Sequence, residues 1–397
     1  MSNNPSVRRC AGVAVAASFA FLLWKSRTNV LAWIHSSRGR QTRRMEPKVV
    51  IISMFKAEAE AWHKRPELLD LRVRKLFIPG LSPKYPYVLS TANGEVCQLI
   101  TGESLINAAL ALSTFINDPT FDLRKTYFLI AGIAGISPKY GSLGSVTLAR
   151  YAVQVDLQYQ FDGRAIPAEW KSGYVPQGCA TPNEYPKIIY GTEVFEVNEE
   201  LQKIALDFAS RACLEDSERA QTYRRGFAQS PNGIFEPATR PPFVFAGDVA
   251  SSNVFFHGHL LSETFEHSLK IMTDGKGQYT TTAQEDTATL AALVRGAVSQ
   301  RLDFSRVIIL RSASNFDQPP DIGSIPEIPL HLGHGGLELG LENLYGAGVE
   351  IVQGILRGWK GRFEAGVRPR NYIGDIFGSL GGEPDFGPGR CVEVAFS

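Results

Sequence analysis

Beyond residue 45 the sequence contains no uncharged apolar stretch that approaches 18 residues. A membrane-crossing helix needs about 20 predominantly apolar residues, and lipid offers the backbone no other partners. The length of the hydrophobic runs alone therefore excludes a multi-helix channel or carrier. The body offers instead short apolar runs alternating with helix-prone segments, at 44% hydrophobic and 20% charged residues. That balance suits a globular protein with a sizeable core.

The runs follow one another as in an α/β chain. Residues 48–54 form a first strand and the Ala/Glu-rich stretch 56–69 a helix. Residues 96–100 are a second strand, and 107–115 open an Ala/Leu-rich helix. Residues 127–130 make a third strand that runs straight into Ala131-Gly132-Ile133-Ala134-Gly135. Further strands are expected over 145–148, 243–246 and 307–310, and 153–161 alternates like a half-buried one. Helices are expected over 198–213, 283–298 and 340–359, with Pro/Gly-rich surface excursions over 162–192 and 226–242. Buried strands that lead into helices predict a largely parallel or mixed sheet.

The first 45 residues are a different object. They carry eight basic side chains and no acid. The whole chain has 41 basic and 40 acidic residues, so 33 basic residues face 40 acids in the body, a difference of −7. An acidic body lacks the basic face that nucleic-acid phosphates demand. Residues 10–24 are an uncharged, mostly apolar run of fifteen between Arg8-Arg9 and Lys25. That length suits a signal-peptide core or a short anchor whose flanking arginines snorkel. We read it as a membrane-targeting segment, with membrane association through residues 10–24 and a membrane or secretory-pathway location. The Arg-rich, acid-free character makes a mitochondrial presequence the rival reading. The expected organisation is a targeting or anchor segment over 1–45, one domain over 46–360, and a Gly/Pro-rich tail over 361–397.

Five cysteines, Cys10, Cys97, Cys179, Cys213 and Cys391, are widely spaced and include no C-x-x-C pair. A disulfide stays open at this stage, and no metal is expected.

Ligands in open α/β sheets sit beyond the carboxyl ends of the strands. Four such ends here carry small or polar residues: Gly102-Glu103, Gly132–Gly135, Gly247–Asn253 and Ser314–Asp317. Glycine lets backbone N–H groups approach a ligand closely, although it also serves tight turns.

Taken in order, these segments resemble something specific. Tyr127–Ile136, continuing through Gly144–Tyr151, looks like the glycine loop and following strand of the nucleoside phosphorylase superfamily. Gly191-Thr192-Glu193-Val194-Phe195-Glu196-Val197-Asn198, Thr282–Leu290 and Arg311–Pro319 resemble the purine nucleoside permease family, a divergent branch with the phosphorylase-like fold. The resemblance covers roughly 47–360. It implies a three-layer α/β fold with a central mixed sheet and a purine nucleoside as small-molecule ligand. It also implies a link to nucleoside transport, no cofactor, and phosphate as a co-substrate if the chain is an enzyme. A homo-oligomer would fit, since superfamily sites often borrow a residue from a neighbouring subunit.

The resemblance also assigns residues. Glu285 matches the carboxylate that accepts hydrogen bonds from the ribose hydroxyls, a task suited to two oxygens facing a vicinal diol. Read without the motif, it is an acid stabilised at a helix N-terminus. Gln284 stands where a Met often packs on the sugar. Asn315, after Ser314, matches the position that hydrogen-bonds the purine N7 and its 6-substituent as the glycosidic bond weakens. Asp317 either assists or forms a turn before Pro319-Pro320. Phe255 and Phe256 fall where aromatic contacts to base or sugar are placed, with core packing as the alternative. Gly102, Gly132 and Gly135 complete the expected binding set, and Glu58 sits where hydrolytic relatives keep an acid that activates water.

One departure stands out. Ile133 occupies a position where phosphorylases present Ser, and the nearest cations are Lys56, Lys139 and Arg150. A phosphate dianion wants several donors and usually an arginine fork. Two functions therefore remain from the sequence: nucleoside binding tied to uptake, and cleavage of the N-glycosidic bond with water or phosphate as nucleophile.

Overall fold

The computed structural model describes residues 44–320 and 334–387, so the apolar run 10–24 expected to target the chain, Cys10 and Cys391 lie outside the described residues. The elements, in order, are β1 (Val49–Ser53), α1 (Lys56–Ala61), β2 (Arg74–Phe77), β3 (Tyr87–Ser90), β4 (Val96–Ile100) and α2 (Leu105–Asn117). Then come β5 (Tyr127–Ile136), β6 (Val146–Ala149), β7 (Tyr151–Gln154), β8 (Gln158–Gln160), β9 (Tyr174–Pro176), β10 (Val194–Glu196), α3 (Glu199–Ala209) and α4 (Glu218–Arg224). The last group is β11 (Val244–Ala246), β12 (Asp248–Ser251), α5 (His259–Met272), β13 (Tyr279–Ala283), α6 (Asp286–Val298), β14 (Val307–Phe316), α7 (Gly336–Arg357) and β15 (Gly374–Asp375).

One mixed sheet organises them, with β5 at its centre. Its first half pairs in parallel with β1, Val49 opposite Tyr127, and with β14, Val307 opposite Phe128. Its far end meets β13 antiparallel, Thr282 opposite Gly135. The side-chain period of two sends successive β1 residues to opposite faces. Val50 and Ile52 join a core with Leu112 and Phe115 of α2 and Leu290 and Leu293 of α6. Val49 and Ile51 join another with Leu201 of α3 and Leu344, Ile351 and Val352 of α7. Helices thus cover both faces of a central mixed sheet, the three-layer α/β architecture expected.

The structure corrects several local expectations. The helix expected over 56–69 ends at Ala61, before Pro66, whose ring disfavours helical geometry in the residue ahead of it. The third and last strands do not stop at residues 130 and 310; each runs ten residues, straight through its small-residue segment. Glycine in a strand looks like a turn in sequence, but here the missing Cβ makes room for neighbouring side chains. The helix α5 and the strands β12 and β13 were not anticipated.

The described part of the segment from 361 packs on the sheet edge. Gly374–Asp375 pairs antiparallel with β10, and Ile376 and Phe386 enter a satellite core with Tyr151 and Phe265. Cys97, Cys179 and Cys213 are free thiols.

Candidate functional site

The carboxyl ends of β1, β5, β13 and β14 converge on a pocket of roughly 470 Å³. Its lining includes Glu58, Gly135, Phe255, Gln284, Glu285, Ser314 and Asn315, seven of the nine residues expected from the sequence. Gly132 and Gly102 do not line it.

Below the pocket lies a buried charge cluster. Glu58, on the single turn of α1, is 2% exposed. Its Oε2 accepts the N–H of Met54 at 2.6 Å and its Oε1 that of Ile133 at 2.8 Å. Burial pushes its carboxyl up to about 7, against the opposing pull of the Arg311 guanidinium. Arg311 is itself buried in the middle of β14, where Nη2 and Nε donate to the two oxygens of Asp286 at 2.7 and 3.2 Å. Gly132 lies directly opposite Arg311 in the β5–β14 register. A Cβ there would stand 2.3 Å from Arg311 Nη1 and 2.7 Å from Glu58 Oε1. Gly132 therefore serves the pocket by admitting the charge cluster beneath it.

The expected sugar end is built where α6 begins. Glu285 caps α6 and is 5% exposed, and Oε1 accepts the N–H of Ser104 at 2.8 Å. Burial raises its carboxyl above the ordinary range, with Arg311 opposing. Ser104 holds φ 83° and ψ 155°, a region that essentially only glycine adopts. Its conformation is held by Asn253, whose Oδ1 accepts from Ser104 Oγ at 2.8 Å and from the N–H of Leu105 at 3.2 Å. Gly102, at φ +87°, shapes the turn that delivers Ser104. Gln284 donates to the carbonyl of Asn253 at 2.8 Å and so braces the same loop.

The expected base end depends on an irregularity in β14. The β5–β14 register slips between Ala313 and Asn315, a bulge of the kind that re-aims a side chain. It sets Asn315 opposite Gly135, where a Cβ would lie 3.1 Å from Asn315 Nδ2 and 2.4 Å from Thr282 Oγ1. The Asn315 amide is held at both ends: Oδ1 accepts from Ser314 Oγ at 2.9 Å and Nδ2 donates to the Phe316 carbonyl at 3.1 Å. Asp317 is fully buried outside the lining, accepts from Tyr279 OH at 2.6 Å, and is raised by burial to about 7. Phe255, 47% exposed, stands at the mouth with Val254, and Phe256 also lines the pocket while its ring packs on Phe265.

No lysine or arginine lines the pocket among the described residues. Lys139 is engaged by Glu266 at 2.6 Å, Arg150 by Glu196, and Arg311 by Asp286. Arg311, Asp286, Ser104 and Asn253 were absent from the sequence-derived set. The available signal was a lone arginine inside a long apolar strand.

The family described as Purine nucleoside permease matches residues 46–368. A Candida albicans protein named purine nucleoside permease is 41% identical over 358 residues, spanning 89% of this chain and 86% of that protein. A Schizosaccharomyces pombe protein named probable purine nucleoside permease is 35% identical over 323 residues, spanning 79% and 90%. Among solved structures, a 5'-methylthioadenosine/S-adenosylhomocysteine nucleosidase from Neisseria meningitidis aligns over 78% of this chain and 99% of its own. The identity is 17% and the TM-score 0.44. Futalosine hydrolase of Helicobacter pylori aligns over 78% and 97%, at 15% identity and a TM-score of 0.44.

Proposed function

The chain belongs to the purine nucleoside permease family, and we propose that its pocket captures purine nucleosides in connection with their uptake across a membrane. The observation that carries this reading is one cavity lined by both Glu285 and Asn315 together with aromatic and aliphatic side chains such as Met54, Phe255 and Leu337. A carboxylate suits a ribose diol, and a fixed amide suits a purine edge. Among the described residues no helix is long and apolar enough to cross a membrane. The body's part in uptake is therefore capture of the nucleoside, with membrane or secretory-pathway placement assigned to the N-terminal segment.

Calorimetric titration of the full chain with inosine, guanosine, adenosine and the free bases tests the reading. Nucleoside binding that Glu285→Ala abolishes while free-base binding survives supports it. Equal loss of both, or unchanged nucleoside affinity, removes Glu285 from the sugar end.

A second reading is hydrolysis of the N-glycosidic bond, favoured by Glu58. A carboxylate raised to about 7 in the pocket wall is matched to accepting a proton from water near neutral pH. The pocket wall without cations favours water over phosphate as nucleophile. Base release from inosine that does not depend on phosphate and disappears in Glu58→Gln supports cleavage. No release with or without phosphate leaves capture alone.

A further inference from the structure

The segment 357–370 carries five basic residues, Arg357, Lys360, Arg362, Arg368 and Arg370, against one acid, Glu364. Its net charge of +4 stands out from the rest of the body, where 28 basic residues face 39 acids, a difference of −11. All five basic side chains are exposed. Arg357 and Arg370 make only loose ion pairs, 3.8 Å to Glu350 and 3.9 Å to Glu200. Among the described residues, Lys360, Arg362 and Arg368 form no ion pair within 4.0 Å. Arg362, Arg368 and Arg370 line one open hollow of roughly 660 Å³.

This basic surface has a fixed frame. The buried Arg306 donates to the carbonyls of Phe363 at 2.6 Å, Glu364 at 3.0 Å and Lys125 at 3.1 Å. Asn198 Nδ2 donates to the Val367 carbonyl at 2.7 Å. The frame belongs to the end of the sheet where β1 and β5 begin: Lys48, ahead of β1, lies 5.4 Å from the ring centroid of Trp359, and Tyr127, the first residue of β5, meets the same ring edge-on. The pocket lies at the opposite ends of these strands. Tyr127 and the lining residues Ile133–Gly135 lie six to eight residues apart along β5, about 20–26 Å at ~3.3 Å each.

Met45, the first residue of the compact body, is tied to the same end of the strands. Met45 bridges to Phe121 and donates its N–H to the Thr120 carbonyl at 2.8 Å. Upstream of it lie eight basic residues and the apolar run 10–24. Stable peripheral anchoring takes two signals, of which one apolar insertion plus a basic surface is a standard pair. We propose that the surface formed by residues 357–370 docks on anionic phospholipid headgroups, and that this docking turns the mouth of the pocket away from the bilayer. The acidic remainder of the body sets this surface apart from a nucleic-acid interface, which needs a wider basic face.

Flotation of the full chain with phosphatidylcholine vesicles, with and without phosphatidylserine, tests the proposal. A triple substitution Arg362→Gln, Arg368→Gln, Arg370→Gln changes only exposed side chains. It is expected to weaken binding to the phosphatidylserine vesicles on the order of 100-fold, from the energy each cation contributes near an anionic surface, with nucleoside affinity unchanged. Hydrogen exchange on the wild-type chain keeps the proposal independent of that variant. Adding phosphatidylserine vesicles should slow exchange in 357–370 and leave the pocket-mouth loop 252–256 as it was. The proposal is overturned by unchanged vesicle affinity in the triple variant. Unprotected 357–370 in vesicle-bound protein, or tighter binding to duplex DNA than to the vesicles, overturns it equally.

Discussion

Arg311 and Asp286 form a doubly hydrogen-bonded ion pair beneath the pocket, at 2.7 and 3.2 Å, with the arginine 1% and the aspartate 0% exposed. The pair joins the central strand β14 to the first turn of α6, which Glu285 caps. It also fixes a positive charge that opposes the burial cost of both Glu58 and Glu285. A buried guanidinium needs its partner, because a desolvated lone charge is far costlier than a paired one.

Asp286→Asn is therefore expected to cost about 3–5 kcal/mol in chemical denaturation. Replacing both partners, Arg311→Met with Asp286→Leu, should cost much less than the single change. A double variant as unstable as Asp286→Asn would show that charge compensation is not what the pair supplies.

The pH dependence of stability follows from Glu58. Its folded carboxyl sits near 7 against an ordinary value of 4.5, so between these values the folded state holds more protons than the unfolded one. Stability is then lost as pH rises through that window, by up to about 3 kcal/mol from this group alone. Asp317, also raised to about 7 by burial, acts in the same direction. Glu58→Gln should flatten the fall in Tm between about pH 5 and pH 8. A wild-type Tm that climbs across this range would contradict the assignment.

Ser104 carries a backbone conformation suited to glycine, yet its contact with Glu285 uses only the N–H. Ser104→Gly should relieve about 1–3 kcal/mol of strain, partly offset by the lost bond to Asn253 at ~1 kcal/mol, while nucleoside affinity stays within about twofold. Ser104→Pro removes the N–H and also forces φ to about −65°, so it should cost stability and weaken nucleoside binding at least tenfold together. Calorimetry and thermal denaturation of Ser104→Gly check the strain: a Tm below that of the wild type would contradict it.

Gly132→Ala places a methyl group 2.3 Å from Arg311 Nη1. Both neighbours are pinned, so the chain must shift at a cost of about 1–3 kcal/mol. The change should also disturb Glu58. A Tm equal to that of the wild type would mean that the cluster has slack.

Much of this arrangement was legible in the sequence. The long motifs around Glu285 and Asn315 supply four of the seven expected residues that line one pocket, and Gly135, Glu58 and Phe255 join them because strand ends converge where strands lie side by side. What stayed hidden was support at long sequence separation. Ser104 and Asn253 lie 149 residues apart; Asn253 closes a polar strand end legible in the sequence, but nothing there pairs it with Ser104. Gly132 and Gly102 looked like ligand-facing glycines; one makes room for a guanidinium and the other shapes a turn.

Run lengths and periodicity by themselves determined an α/β body without long apolar spans, because burial on one or two faces leaves its period in the residue order. The charge division was equally plain: a basic N-terminal segment and an acidic body. Only the tertiary structure decided that Arg311 answers Asp286, that a register slip aims Asn315, and that the basic surface of 357–370 lies at the strand ends where Lys48 and Tyr127 meet Trp359. Those facts depend on which strands lie side by side and where a Cβ is missing, and residue order does not carry that information until the sheet has formed.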